Sequence, residues 1–289
     1  MPVLVFDIET IPDVAGLRAL GSLSSDLPDA EVAAQAFAAR REKTGSDFLQ
    51  HHLHRVAAIS CVFRDNEGFK VRSLGSIDDG EAKLVQDFFR VIERYTPQLV
   101  SWNGGGFDLP VLNYRALIHG ITASRYWEQG DEDRDFKWNN YLSRYHSRHL
   151  DLMDHLAMYT GRANAPLDDL AKLCGFPGKL GVDGSQVWTL YQEGRLDQIR
   201  DYCETDVANT FLAFLRFQLM RGVLTREPRL VFTQPRSSQT AEIAPRKSSM
   251  ATRWPPVMTR IRLAADIGTP SVQVARITRR GLSLVGYLL

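Results

Sequence analysis

Apolar runs of strand length alternate with stretches of helical period along the first 220 or so residues. Residues 3–8 are apolar at every position but Asp7, the pattern of a strand covered on both faces. Runs at 55–63 and 69–75 flank the polar turn RDNEG, a hairpin signal. Residues 13–55, between the first two strands, read as an insertion with an Ala-rich helix near 30–43. Helical spacing follows at 81–95, a strand at 97–103, then a Gly-rich turn and a helix near 108–119. The stretch 149–161 begins as a short strand and continues as a helix, and a short helix opens at Pro166. Residues 195–222 read as one long helix stopped at Gly222. Three strands followed by alternating helices and strands predict an α/β fold, a mixed sheet with helices on its faces.

The pattern breaks after Pro228. Residues 228–289 are rich in Pro, Ser and Arg and lack steady periodicity, although 271–289 alternates well enough to predict a hairpin around 279–281. Two parts are therefore expected: a folded domain over 1–225 and a basic, poorly ordered extension over 228–289. The near-neutral total of +1 hides this division. The extension holds ten Lys and Arg against two Asp and Glu, a net +8, which leaves −7 for the rest. Such a tail suits an anionic partner. Apolar residues at 44 % and charged residues at 24 % are ordinary for a globular chain. No apolar run approaches the roughly 18 residues of a membrane span, and no basic leader precedes an apolar core. Three scattered cysteines make neither a C-x-x-C pair nor a disulfide framework. A cytoplasmic location without a membrane partner is expected.

Three groups of polar residues interrupt these elements. Asp7 and Glu9, two apart on the first strand, project from one face. Side by side they repel, and a divalent cation is the simplest relief; the alternative is a pair solvated at a strand end. In "WNGGGFDLPVL" (102–112), Asn103, Phe107 and Asp108 surround three glycines. The turn looks like a phosphate-binding loop without its Lys-Ser/Thr, and Asp108 suits a metal ligand or a helix cap equally. In "YCETD" (202–206), Tyr202 and Asp206 stand i, i+4 on one helix face, with Glu204 on another.

In this order and on these elements, the three motifs resemble the 3′–5′ exonucleases of the ribonuclease H-like superfamily, in the branch with four acids and a tyrosine. The nearest likeness is to stand-alone bacterial proteins related to the proofreading domain of family B DNA polymerases. The resemblance implies a ribonuclease H-like mixed five-stranded sheet flanked by helices, and two-metal phosphodiester hydrolysis with Mg²⁺ or Mn²⁺. It implies that Asp7 bridges both ions, that Glu9 and Asp206 complete one site and Asp108 the other, and that Tyr202 positions the attacking water. The substrate implied is a 3′ end of single-stranded DNA or RNA, released as nucleoside 5′-monophosphates. A polymerase or repair partner would act in trans.

Substrate contacts are expected at Thr10, Asn103 and Phe107, and at Tyr145 and Arg148. The last two lie in a stretch (136–149) that interleaves aromatic and basic residues, as single-strand binders do; partial burial of Tyr141 and Tyr145 is the competing expectation. Asp151 reads as a site-rim residue or a cap, and Cys203 as a packed helix residue. "HHLH" (51–54) is a poor metal site, and "DEDRD" (131–135) fails as a calcium loop for want of Gly and Glu at the required positions. Two rival functions remain in view. One is a haloacid-dehalogenase-like phosphatase, suggested by "FDIET"; the other is a non-catalytic nucleic-acid-binding module.

Overall fold

The computed structural model describes residues 1–21, 26–179 and 183–224 in full and the backbone of 229–233, 260–264, 272–278 and 281–288. The chain divides into two units, Met1–Phe214 and Leu215–Leu289.

The first unit is built on strands β1 (Val3–Pro12), β2 (His54–Arg64), β3 (Phe69–Ser73), β4 (Gln98–Ser101) and β5 (His149–Asp151), in the order β3-β2-β1-β4-β5. β1, β2 and β3 form an antiparallel meander, whereas β4 runs parallel to β1 and β5 parallel to β4. This is the mixed five-stranded sheet that the motifs implied. β1 is the central strand, which explains its unbroken apolar run: Leu4, Val5 and Phe6 are fully buried. Its pairing with β2 slips between Glu9 and Thr10. Such an irregularity re-aims side chains at a strand end.

The helices, in chain order, are α1 (Val14–Gly21), α2 (Asp29–Thr44), α3 (Glu81–Tyr95), α4 (Asp108–Ile118), α5 (Ser124–Trp127), α6 (Leu152–Leu156), α7 (Leu167–Leu173), α8 (Val187–Gln192) and α9 (Leu196–Met220). The main core joins α3 and α4 to the sheet, with Phe88, Phe89 and Ile92 against Phe6, Ile59 and Leu99. A second cluster joins Ile199, Tyr202 and Cys203 of α9 to Ile11 of β1, Ala57 and Ala58 of β2, and Leu190 of α8. Burial of these side chains is what fixes α9 on the sheet, since area removed from water stabilises at about 25 cal/mol per Å². The inserted segment forms α1 and α2 and closes on a small core of Leu17, Val32 and Leu49. No described helix is long and apolar enough to cross a membrane.

In the second unit, β6 (Arg229–Thr233), β7 (Arg260–Ala264), β8 (Val272–Thr278) and β9 (Gly281–Leu288) pair antiparallel in sequence order. Thr278 pairs with Gly281, where the alternating pattern predicted a hairpin. Most of the extension expected to be poorly ordered lies outside the described residues.

Candidate active site

The end of β1 presents Asp7, half-buried, and Glu9, buried. The third acid comes from the start of α4. Asp108 Oδ1 accepts a hydrogen bond from the Ile8 amide at 3.1 Å, between the two β1 acids in sequence. The cap role weighed for Asp108 is not the one observed: Phe107 holds the N-cap position, and the Asp108 carboxylate reaches across to β1. α9 delivers the rest. Its apolar face is buried, so Tyr202 and Asp206, one turn apart, are carried inward. Tyr202 and Asp206 stand close enough on that face for each to shift the other's titration. Asp206 Oδ1 is buried with no hydrogen-bond partner among the described residues.

The electrostatics show that these acids feel one another. Burial, then the charges of Asp108, Glu9 and Asp206, push the Asp7 carboxyl well up. Burial, then Asp206 and Asp108, do the same to Glu9. Asp108 is pushed up to about 7, chiefly by burial, against the pull of the amides it accepts from. Asp206 is raised by burial, and the Tyr202 hydroxyl and Lys179 offset part of that. Tyr202 is raised far above the ordinary phenol range by burial and by the Asp206 and Glu9 charges, so it stays a hydroxyl at neutral pH. A buried carboxylate oxygen without a donor, among acids that repel, is a set of hard oxygen donors short of a cation. It fits Mg²⁺ or Mn²⁺.

Two residues at this site were not singled out from the sequence as functional. Lys179 lowers both Glu9 and Asp206 by its charge, and its ammonium lies 5.5 Å from the centroid of the Tyr202 ring. A single lysine in a loop leaves no periodic signal. Cys203, read as packing, is buried and directs its thiol at Asp7, 3.4 Å from the carbonyl oxygen and 3.5 Å from Oδ2. One ligand atom each of Asp7, Glu9 and Cys203 lies within 4.8 Å of the others.

The Gly-rich turn is braced from within. Asn103 takes a left-handed backbone (φ 66°), and a Cβ on Gly104 would stand 2.3 Å from Ser101 Oγ. The amides of Asn103 and Gly105 both donate to Asp151 at 2.9 Å. Asp151 also caps α6 through the Asp154 amide. Two of the turn's amides are therefore engaged by an internal carboxylate, which corrects its likeness to a phosphate cradle; Asp151 acts as a cap and brace, and its charge also raises the Asp108 carboxyl at the site.

The remaining candidates fall in different places. Thr10 Oγ1 bonds His54 Nδ1 at 2.9 Å. Phe107 packs among His51, His54 and Phe48. Tyr145 is exposed and meets Tyr159 edge-on at 4.9 Å, with Arg144 beside both rings. Arg148 is buried instead, its guanidinium 3.9 Å over the Phe136 ring and its Nε donating to the Asn139 carbonyl at 2.6 Å. That position makes it a packing residue and not a hand for phosphate. Tyr141, as the competing expectation held, is core. His51 and His54 bond backbone oxygens of Gly106 and Leu49, so "HHLH" joins loops. Glu204 accepts from the amide and hydroxyl of Ser73, off the site.

A family model described as "Predicted 3′-5′ exonuclease related to the exonuclease domain of PolB" matches residues 46–243. The chain belongs to that family. The matched stretch carries Asn103, Phe107, Asp108, Tyr202 and Asp206, while Asp7 and Glu9 precede it. Among solved structures, the chain is similar to the family B DNA polymerase of the archaeon Pyrobaculum calidifontis (15 % identity, 76 % of this chain, 24 % of that one, TM-score 0.46). It is also similar to E. coli exonuclease I in complex with a 5cy-dT13 oligonucleotide (14 % identity, 77 % of this chain, 45 % of that one, TM-score 0.34). The chain thus spans about a quarter of the polymerase and under half of the exonuclease. No curated protein matches it in sequence.

Proposed function

We propose that this exonuclease-family chain is a metal-dependent 3′–5′ exonuclease of single-stranded nucleic acid, DNA foremost, releasing nucleoside 5′-monophosphates. The observation that supports it most is the convergence of Asp7, Glu9, Asp108 and Asp206 from β1, α4 and α9, with Asp206 Oδ1 left without a donor. These acids would hold two Mg²⁺ or Mn²⁺ ions, which when bound stabilise charge on the phosphoryl group and acidify water. Tyr202, held as a neutral hydroxyl beside Asp206, orients the attacking water and does not act as its base. The Ile8 amide keeps Asp108 aimed at the β1 acids. Lys179 offsets part of the negative charge that the substrate phosphate must approach. Thr10 and Phe107 adjoin the acids in sequence, and with Asn103 of the same turn they line the approach of the terminal nucleotide. Tyr145, packed edge-on against half-buried Tyr159, offers one exposed ring to the strand behind it, while Arg144 beside it is held by Asp154. The chemistry is assigned to 1–225, and the basic segment 228–289 to salt-sensitive phosphate contacts.

The phosphatase reading asks for late acids at strand ends; here Asp206 sits inside α9 beside Tyr202. The deciding experiment digests matched 5′-labelled single-stranded DNA and RNA with Mg²⁺, with Mn²⁺ and with chelator. A ladder shortening from the 3′ side, slowed by a 3′-terminal phosphate and stopped by chelator, is expected. Equal cutting of circular strands, or full activity in chelator, overturns the proposal.

A further inference from the structure

We infer that Phe48, supplied by the inserted segment and flanked by His51, forms a stacking wall for the base of the 3′-terminal nucleotide. This rests on the exonuclease reading above and names part of the substrate seat that the acid motifs do not contain. Phe48 lies in the irregular stretch after α2, and its residue remains 54 % exposed. Large exposed rings occur elsewhere on the surface, but this one is fixed and placed. Its amide donates to Ser46 Oγ at 3.2 Å, and its carbonyl accepts from Arg40 Nε at 3.0 Å. The next residue, Leu49, is buried in the small core of the insertion. Asp13, just ahead of α1, is tied to buried Arg115 of α4 at 2.6 Å. An aromatic face ordered in advance loses little freedom when a base settles on it.

The ring's neighbours locate it. Phe48 and Phe107 have centroids 5.4 Å apart, and Phe107 immediately precedes Asp108. Phe48 and His54 are 5.1 Å apart, and His54 bonds Thr10, which immediately follows Glu9. His51 lies 5.6 Å from Phe107 and bonds the Gly106 carbonyl at 2.9 Å. Two independent elements thus lead from the acids to the same ring cluster, α4 directly through Phe107 and β1 through the Thr10–His54 hydrogen bond. An exposed aromatic face beside phosphodiester chemistry fits a nucleobase, because every base has a π-face and stacking tolerates any sequence. A protein partner seated on Phe48 is the alternative occupant.

The test uses the full chain in chelator with oligothymidylate carrying 2-aminopurine at either its 3′ or its 5′ end. The wild type should quench the 3′ probe strongly and the 5′ probe weakly. Phe48→Ala should abolish the 3′ quenching and weaken binding about tenfold. Phe48→Trp should keep both and have its own fluorescence quenched by the strand. With Mg²⁺, the Ala variant's loss should fall on KM more than on kcat and vanish for strands ending in an abasic residue. Thermal melting of both variants near that of wild type confirms that the half-exposed ring is not holding the fold. Wild-type binding and quenching in Phe48→Ala, or an equal loss on abasic-ended strands, overturns the inference while leaving the exonuclease reading intact. A wild type that degrades no strand sinks that reading itself.

Discussion

Glu81 and Asp13 are as buried as Glu9 and Asp108, and the two pairs are built in opposite ways. Glu81 receives Arg115 Nε at 2.7 Å and Nη2 at 2.5 Å, the Val56 amide at 2.7 Å, and His119 Nε2 at 2.8 Å. Asp13 takes the other guanidinium nitrogen of Arg115 at 2.6 Å. A single arginine therefore pairs with both acids and ties α3, α4 and the start of the insertion together. Among the described residues, no guanidinium pairs with the acids at the end of β1. Asp7, Glu9 and Asp108 are raised by burial and by neighbouring acids, and among the causes of these shifts the one cationic offset is Lys179 on Glu9; Asp7 is otherwise eased by the Cys203 thiol and Asp108 by backbone amides. Burying a charge is costly unless it is paired. The first cluster meets that cost inside the chain, whereas the second leaves it open to a cation from solution. That contrast separates a structural acid from a functional one better than burial does.

The contrast breaks first at Asp7. Asp7→Asn should bring hydrolysis down to the level seen in chelator, because the acid that feels the charge of all three others is lost. The metal-free fold should survive or gain stability, since a repelling charge goes with it. Single-turnover rates beside melting curves in chelator would show this. Appreciable metal-dependent turnover in the variant would remove Asp7 from the site.

Arg115→Met makes the mirror-image disturbance. It strands Glu81 and Asp13 without their cation and should cost about 3–5 kcal/mol in urea unfolding. Adding Glu81→Gln to Arg115→Met should restore part of that loss, because the stranded charge is then gone. A neutral single variant would mean that solvent reaches the cluster and that the comparison fails.

Within the site, Tyr202→Phe should sharpen the division between ligand and orienting group. The ring packs with Ile11, Ala57 and Ile199, so the fold should hold. Loss of the hydroxyl misplaces water and should slow the reaction about 10²-fold. Raised Mn²⁺ should not recover it. Asp206→Asn should cost more and be partly recovered by Mn²⁺, since there a ligand is weakened. Single-turnover rates against metal concentration compare the two; wild-type rates in Tyr202→Phe would make the tyrosine a packing residue.

Much of this was legible in the chain for physical reasons. β1 announced itself because a central strand must be apolar on both faces, so Asp7 stood out against it. The same-face relations of Asp7 with Glu9 and of Tyr202 with Asp206 follow from the strand and helix periods alone. The hairpin at 64–68 and the long helix carry strong local signals. What was not legible depends on side chains meeting across long separations. The capture of the turn amides by Asp151, the burial of Arg148 on Phe136 and the approach of Lys179 to the acids leave no trace in spacing. Nor does Phe48, which looks like any loop aromatic until Phe107 and His54 are beside it.

The smallest expected effect is also the most direct reading of the open charge at the acid cluster. Asp108 titrates near 7 in the fold against an ordinary carboxylate value of about 3.9 in the unfolded chain. Between those values the native metal-free protein holds the proton that the unfolded chain has lost. Its contribution is therefore greatest at the acid end of the window, falls as pH rises toward 7, and levels off above it. Asp7, Glu9 and Asp206 are shifted in the same direction and add to the slope. Buried His149, lowered to about 4, and His54, also lowered, work against it, because the unfolded chain binds their protons first as pH falls. Neither histidine is altered in Asp108→Asn, so subtracting that variant's profile from the wild type's leaves the Asp108 carboxyl together with the part of the Asp7 and Glu9 shifts that its charge imposes. The wild-type melting temperature in chelator, relative to the variant, should decline by about a few degrees between pH 5 and 8. Mg²⁺ should reverse the trend, stabilising more at pH 8 than at pH 5, because the ligands must lose their protons to bind it. Melting profiles across that range with and without Mg²⁺ make the check, and parallel wild-type and variant profiles in chelator would leave Asp108 an ordinary buried acid outside the metal site.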